Sequence, residues 1–138
     1  MYGPEGIDAV LRRADFVVVT TPLTPETDNL IDRRRLDLMK PGAGLTNMSR
    51  ARVVDYRALA EKLRWGSLAG AILDVFDPEP LPPSSPLWRT PNLIVTPHVS
   101  SDDDVAYVPP TLDLFFDNVR RYLAGRPLRN RVRPRLGH

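Results

Sequence analysis

The 138-residue chain contains no cysteine and only two histidines, His98 and His138. Without cysteine there is no disulfide, no thiolate nucleophile and no Cys-based zinc site, and two histidines are too few for a His-rich metal site. None of the apolar runs approaches the roughly 20 residues needed to cross a bilayer. The N-terminus also lacks the basic and apolar regions of a signal peptide. These absences predict a cytoplasmic protein with no bound metal and no membrane partner.

Lysine is scarce too, because Lys40 and Lys62 are the only lysines and the remaining positive charge is arginine. Five arginines fall in the last thirteen residues: Arg126, Arg129, Arg131, Arg133 and Arg135. A basic tail is one signature of a nucleic-acid binder. This tail has no aromatic residue for base stacking, and Pro127 and Pro134 interrupt any helix. A solvated basic tail over 126–138, with no nucleic-acid partner, is therefore the favoured reading, and nucleic-acid binding is the alternative.

What the chain does contain is a regular alternation of β-type and helical patterns. Four short apolar runs, at 16–21, 43–48, 68–73 and 92–97, fit strands buried in a parallel sheet. Helical patterns cover 4–14, 32–39, the stretch opening at 53 or 54, and 111–123. Residues 23–27 are expected to form a turn followed by a helix start. A helix could also begin at 102–106, but the prolines at 109 and 110 are expected to interrupt it. The predicted fold class is α/β, a Rossmann-like parallel sheet with helices on its faces, forming one domain over 1–125.

Acidic and basic side chains follow two of these predicted strands. Asp74 ends the run at 68–73, Glu79 stands five residues later, and His98 ends the run at 92–97. In an open parallel sheet the carboxyl ends of the strands line one crevice, where ligands bind. These three side chains are therefore expected to share a site. A carboxylate beside a histidine makes an acid–base pair suited to chemistry near neutral pH.

Five motifs in order resemble the D-2-hydroxyacid dehydrogenases. They are Pro22-Leu23-Thr24-Pro25-Glu26-Thr27, Met39-Lys40-Pro41-Gly42, Asn47-Met48-Ser49-Arg50, Leu73-Asp74-Val75-Phe76 with Glu79-Pro80-Leu81, and Thr96-Pro97-His98. The resemblance implies an oxidoreductase that transfers hydride between NAD or NADP and a 2-oxo or D-2-hydroxy acid.

The resemblance also implies roles for single residues. Arg50 matches the substrate-binding catalytic arginine, Glu79 the catalytic glutamate and His98 the proton-transferring histidine. Asp74 matches the aspartate that holds the nicotinamide carboxamide. The remaining positions implied to border the cofactor, besides Arg50 and His98, are Thr21, Pro22, Met48, Ser49, Ser100 and Ser101. The planar paired donors of arginine suit a carboxylate in a way that lysine would not reproduce.

The chain departs from the family pattern in two places. No G-x-G-x-x-G turn for the cofactor pyrophosphate occurs anywhere, and Ala51 stands where the family usually has glycine. Only the C-terminal half of a dinucleotide-binding domain is therefore expected. Two functional hypotheses remain open: a dehydrogenase, or a truncated, catalytically incompetent fragment that self-associates as a homodimer. The apolar face of 111–123 is expected to be core in the first case and an association surface in the second.

Overall fold

A computed structural model describes residues 3–101, 103 and 106–132, and divides the chain between Ser100 and Ser101 into two compact units. The first unit contains α1 (Ile7–Leu11), β1 (Phe16–Val19), α2 (Arg33–Leu36), β2 (Gly44–Asn47), α3 (Tyr56–Arg64), β3 (Gly70–Leu73) and β4 (Leu93–Val95). Short 3-10 turns occupy Pro4–Gly6, Ala51–Val53 and Pro86–Arg89. The second unit contains α4 (Val108–Leu123).

The four strands form one parallel sheet in the order β1-β2-β3-β4. Val19, Asn47, Leu73 and Val95 lie side by side across it, so all four strands end at the same edge. Consecutive parallel strands need crossover connections, which α2 and α3 provide between β1, β2 and β3. The predicted α/β class with a Rossmann-like parallel sheet is confirmed. The predicted division at residue 125 stays a prediction.

The core of the first unit lies on one face of the sheet. Strand residues Leu45, Ala71 and Leu73 are buried there with helix residues Leu11 and Leu59. On the opposite face, Phe16 is 82% exposed and Ile94 is 58% exposed. Strand side chains alternate between faces, and β2 and β3 alternate half-buried and buried residues accordingly. Within this unit, then, the helices pack against a single face of the sheet.

Local side-chain chemistry sets the helix boundaries. The carboxylate of Asp32 accepts a hydrogen bond from the Arg35 amide at 2.8 Å, and Asp55 accepts one from Ala58 at 2.9 Å. Each is an N-cap that satisfies an otherwise unpaired donor of the first turn. At the other end of α3, Gly66 has a φ of +69°, the left-handed conformation that glycine adopts without strain.

The turn predicted at 23–27 is present, but the helix start predicted with it is wrong, because residues 25–29 continue as a turn. The Thr27 hydroxyl donates to the Pro22 carbonyl at 2.6 Å, which closes the turn. Asn29 then has a φ of +55°, and Ile31 forms a parallel bridge with Val54. Hydroxyl side chains that bond nearby backbone stabilise turns as readily as helix starts.

In the second unit, α4 begins at Val108, with proline in its first turn. The predicted start at 111 is therefore three residues too late, because first-turn amides need no intrahelical acceptor and the prolines fit there. The helix predicted to begin at 102–106 includes residues 102, 104 and 105, which lie outside the described residues. The apolar side chains of α4 are exposed, as at Phe115 and Leu123. The tail folds back on this helix: the Asn118 side chain bonds both the amide and the carbonyl of Arg129. The tail arginines at 133 and 135 lie outside the described residues. None of the described helices is long and apolar enough to cross a membrane.

Candidate active site

The carboxyl edge of the sheet carries the residues predicted to form a site. Thr21 and Pro22 follow β1, Met48 and Ser49 follow β2, Asp74 follows β3, and His98 follows β4. Parallel pairing makes this arrangement unavoidable, because the strands begin and end in register. Loops at the carboxyl edge of an open α/β sheet are the usual place for a ligand.

His98 and Glu79 form a hydrogen-bonded pair. The Nδ1 atom of His98 lies 2.9 Å from Oε2 of Glu79, with both side chains partly exposed to solvent. The other carboxylate oxygen, Oε1, accepts the backbone N–H of Phe76 at 2.7 Å. Since Nδ1 is engaged by the carboxylate, Nε2 is the ring nitrogen left to exchange a proton with a ligand. The predicted proximity of Glu79 and His98 is therefore present, and their role in acid–base chemistry stays a prediction.

The surroundings of Glu79 favour its ionised form. The hydrogen bond from His98 is the main cause that lowers the pKa of this carboxyl, and the N–H of Phe76 adds to it. Burial acts in the opposite direction, and the positive charge of Arg50 assists the lowering. A carboxylate that stays ionised next to an imidazole stabilises the imidazolium cation.

An apolar pocket of about 590 Å³ borders the pair on one side. Its walls include Phe76, Leu81, Trp88 and Pro97. The indole N–H of Trp88 donates to the Pro82 carbonyl at 2.9 Å, which fixes that wall. Apolar surroundings lower the local dielectric and strengthen a neighbouring hydrogen-bonded ion pair.

Arg50 stands at the same edge, directly after β2. It is exposed, and its guanidinium donates one hydrogen bond to the carbonyl of Ser49 at 2.7 Å. The positive charge of Arg50 contributes to lowering the pKa of Glu79, so the guanidinium acts electrostatically on the acid–base pair. An arginine with free donors beside an acid–base pair is suited to binding a carboxylate.

Asp74 holds the turn that presents His98. Its carboxylate is fully buried and accepts the Thr96 hydroxyl at 2.5 Å and the amides of Val99 and Ser100, each at 3.0 Å. His98, which lies between Thr96 and Val99, has a φ of +57°, a left-handed conformation that is costly for a residue with a side chain. Burial would raise the pKa of Asp74, but the bonds from Thr96, Ser100 and Val99 outweigh it and lower the pKa to about 2. The implied role toward the nicotinamide carboxamide stays a prediction.

The other residues implied to border a cofactor vary in exposure. Thr21 and Pro22 are exposed and Ser49 is buried. Met48 is 41% exposed and offers an apolar surface for a flat ring. Ser100 is exposed at the end of the first unit, and Ser101 is the first residue of the second. The implied role of these residues toward a cofactor stays a prediction.

The sequence did not predict a functional role for two residues at this edge, Asn47 and Tyr56. Asn47 is completely buried at the end of β2, and the Tyr56 hydroxyl bonds its side chain at 2.9 Å. A polar amide at a buried strand position was a signal that could have identified Asn47, because buried polar groups require partners. Tyr56 gave no signal, because an aromatic residue at a helix start has no distinctive spacing.

Comparison with known proteins places this edge in a family context. Residues 2–100 match the model of the "D-isomer specific 2-hydroxyacid dehydrogenase, NAD binding domain" family. The chain is 50% identical over 95 residues to glyoxylate/hydroxypyruvate reductase B of Pectobacterium carotovorum. This match covers 69% of the present chain and 30% of the relative. The chain is 46% identical over 95 residues to glyoxylate reductase of Thermofilum pendens, covering 69% and 28%. The chain thus spans less than a third of the length of these two relatives.

Solved structures show the same likeness. A D-isomer specific 2-hydroxyacid dehydrogenase from Xanthobacter autotrophicus Py2, in complex with NADPH and MES, superimposes with a TM-score of 0.89 at 43% identity. That match covers 100% of this chain and 56% of the other. An NADPH-dependent glyoxylate/hydroxypyruvate reductase from Sinorhizobium meliloti, in complex with NADP and sulfate, gives a TM-score of 0.88 at 33% identity. It covers 99% of this chain and 44% of the other.

Proposed function

The chain belongs to the D-isomer specific 2-hydroxyacid dehydrogenase family through its NAD binding domain, and from this we propose that it takes part in reducing a 2-oxo acid with NADH or NADPH. Arg50 binds the substrate carboxylate, and the Glu79–His98 pair delivers the proton. The observation that carries the proposal is the 2.9 Å contact between His98 Nδ1 and Glu79 Oε2. Glyoxylate and hydroxypyruvate are the first substrates to test, because the curated relatives carry these names.

The proposed reaction divides the work between cofactor and protein. A reduced nicotinamide, when bound, would supply the hydride for the carbonyl carbon. Arg50 offers paired donors to the carboxylate and so fixes which end of the acid faces the histidine. His98, protonated, gives up the proton on Nε2 to the carbonyl oxygen, and the Glu79 carboxylate stabilises the imidazolium before transfer. In the oxidative direction the neutral imidazole accepts the hydroxyl proton. The residues proposed to border the nicotinamide are Thr21, Pro22, Met48, Ser49 and Ser100.

The experiment follows the loss of reduced-nicotinamide absorbance when the purified chain receives NADH or NADPH with glyoxylate, hydroxypyruvate or pyruvate. We expect Arg50→Ala to lower kcat/KM by roughly 10- to 150-fold, the equivalent of the ~1.5–3 kcal/mol of a hydrogen bond to a charged group. Arg57→Ala is the matched control, because Arg57 is an exposed arginine of α3 whose side chain is 89% exposed. Equal losses in the two variants would contradict the role of Arg50.

His98→Gln tests the proton transfer separately. The amide keeps a polar group beside Glu79 but has no transferable proton near neutral pH. We expect kcat to fall by about 10²–10⁴-fold, the usual contribution of a general acid, with a smaller change in KM. Full activity of this variant would remove His98 from the mechanism.

The second candidate is a catalytically incompetent fragment that associates with a second copy. It is favoured by the uncovered sheet face, where Phe16 and Ile94 are exposed. Apolar surface of this kind commonly marks an interaction site. Absence of turnover by the wild-type chain, together with absence of saturable NADPH binding, would favour this candidate over the dehydrogenase.

A further inference from the structure

We propose that Tyr56 is a positioning residue that locks the turn carrying Arg50 to the loop carrying Glu79. Its hydroxyl stands between the two, accepting a hydrogen bond from Asn47 at 2.9 Å and donating one to the carbonyl of Val75 at 2.8 Å. The inference rests on the proposed function for the roles of Arg50 and Glu79. The hydrogen bonds that link Asn47, Tyr56 and Val75, called the Tyr56 joint below, do not depend on that function.

On one side of the joint, the Asn47 amide fixes the Arg50 turn. Its Nδ2 group donates to the Arg50 carbonyl at 3.0 Å and to the Tyr56 hydroxyl. Its Oδ1 atom accepts the amide of Ser49 at 3.0 Å and the hydroxyl of Ser49 at 2.9 Å. These four bonds use both donors and both acceptor sites of the amide. Asn47 therefore has one satisfied orientation, and Tyr56 supplies one of its four partners.

On the other side, the Tyr56 hydroxyl fixes the start of the Glu79 loop. Val75, whose carbonyl accepts the hydroxyl, directly precedes Phe76, whose amide donates to Glu79 Oε1 at 2.7 Å. The rings of Tyr56 and Phe76 also pack edge to face, with centroids 6.2 Å apart. Burial raises the pKa of the Tyr56 phenol, so the hydroxyl keeps its proton and remains a donor.

Tyr56 is suited to this role because its own backbone is rigid. It is the first residue of α3, and the N-cap Asp55 precedes it with its carboxylate on the Ala58 amide. The helix thereby holds the hydroxyl in place. Through Asn47 and the Val75 carbonyl, this hydroxyl contacts both the turn after β2 and the loop after β3. Holding catalytic groups within a fraction of an ångström is worth up to about 100-fold in rate.

Tyr56→Phe tests the joint, because phenylalanine keeps the ring and removes only the hydroxyl. The Asn47 amide and the Val75 carbonyl each lose a partner, and both turns gain freedom. We expect the amides of Ser49 and Phe76 to exchange hydrogen about 5- to 10-fold faster, the equivalent of one lost hydrogen bond. The amide of Leu59, bonded to the Asp55 carbonyl inside α3, serves as the internal reference. The matched control is Tyr122→Phe, which removes the hydroxyl of an exposed tyrosine of α4.

Faster exchange at Ser49 and Phe76 with Leu59 unchanged supports the joint, whether or not the chain turns over substrate. Equal acceleration of all three amides, or no acceleration, overturns it. Where the chain is active, Tyr56→Phe is expected to lower kcat/KM for glyoxylate by roughly 10-fold relative to Tyr122→Phe, through both kcat and KM, because it loosens both Arg50 and Glu79. Unchanged kinetics in an active chain also overturn the proposal. An inactive wild-type chain contradicts the proposed function and leaves the exchange measurement to decide on Tyr56.

Discussion

Glu79 uses its two oxygens for different purposes, one for His98 and one for the backbone of its own loop. Both bonds favour the carboxylate and lower the pKa of the folded state below that of the unfolded chain. Their contribution to stability is therefore complete above the ordinary glutamate pKa. It is lost as the pH falls through the lower, folded value. The same two bonds connect the acid–base pair to the loop, so Glu79 both contacts His98 and stabilises the conformation of its own loop.

Glu79→Gln is expected to destabilise the chain near neutral pH and to have no effect at strongly acidic pH. The side chain is 37% exposed, so solvent screening keeps the loss below about 1 kcal/mol. Urea unfolding at pH 7 and pH 3 measures the difference, with Glu5→Gln, an exposed glutamate of the first turn, as control. A loss that stays constant between the two pH values would contradict the linkage.

At the scale of the element, the turn after β4 is held by a carboxylate that comes from β3. Asp74 accepts three hydrogen bonds there, two of them from the backbone amides of Val99 and Ser100, which directly follow the left-handed His98. A polar group left unpaired away from water costs about 1–3 kcal/mol, so the bonds from Val99 and Ser100 to the Asp74 carboxylate stabilise the left-handed conformation of His98. The neighbouring strand thus determines how His98 is presented.

Asp74→Asn replaces one acceptor oxygen by an NH₂ group, which leaves a backbone amide of the turn without a partner. We expect a loss of about 2 kcal/mol at pH 6. Because the folded pKa of Asp74 lies at about 2, below its ordinary value of 3.8, the stabilisation is present above pH 3.8 and disappears as the pH falls toward 2.

Urea unfolding at pH 6 and pH 2.5 checks this expectation. Asp77→Asn, an exposed aspartate of the following loop, is the matched control. A loss at pH 6 equal to that of the control would show that the carboxylate does not hold the turn.

The elements that the sequence predicted correctly are those with strong local signals. Apolar runs placed β1 and β3. The helix predicted to open at 53 or 54 begins at Tyr56, because Ala51–Val53 forms a 3-10 turn and Asp55 is the N-cap. The failures occurred where one local signal fits two conformations. Thr27 closes a turn instead of starting a helix, and Pro109 lies within the first turn of α4 instead of preceding the helix.

For the site, register along the chain was enough to bring Glu79 and His98 together, because neighbouring parallel strands end at one edge. The Tyr56 joint was beyond prediction. It depends on the side chains of Asn47 and Tyr56 and the backbone carbonyl of Val75 meeting in space, which a local sequence pattern does not encode.

At the scale of the whole molecule, the parallel sheet of the first unit leaves one face without helices. Gly44 on this face lies under the ring of Phe16, whose nearest atom would be 3.1 Å from an added Cβ, and Ile94 projects from β4. Doubly wound sheets normally bury both faces. Exposed apolar area of this kind favours association, and a second copy of the chain offers an identical apolar face.

Ile94→Lys is expected to weaken self-association of the chain by about 10- to 100-fold, because burying one isoleucine contributes ~1.5–3 kcal/mol. Sedimentation velocity across a concentration series gives the dissociation constant for wild type and variant. Trp65→Lys introduces the same charge at an exposed apolar residue that follows α3 and lies outside the sheet, and should leave association unchanged. A wild-type chain that stays monomeric at all concentrations, or equal weakening by both variants, would contradict a dimer built on this face. The chain would then expose this apolar face as a monomer.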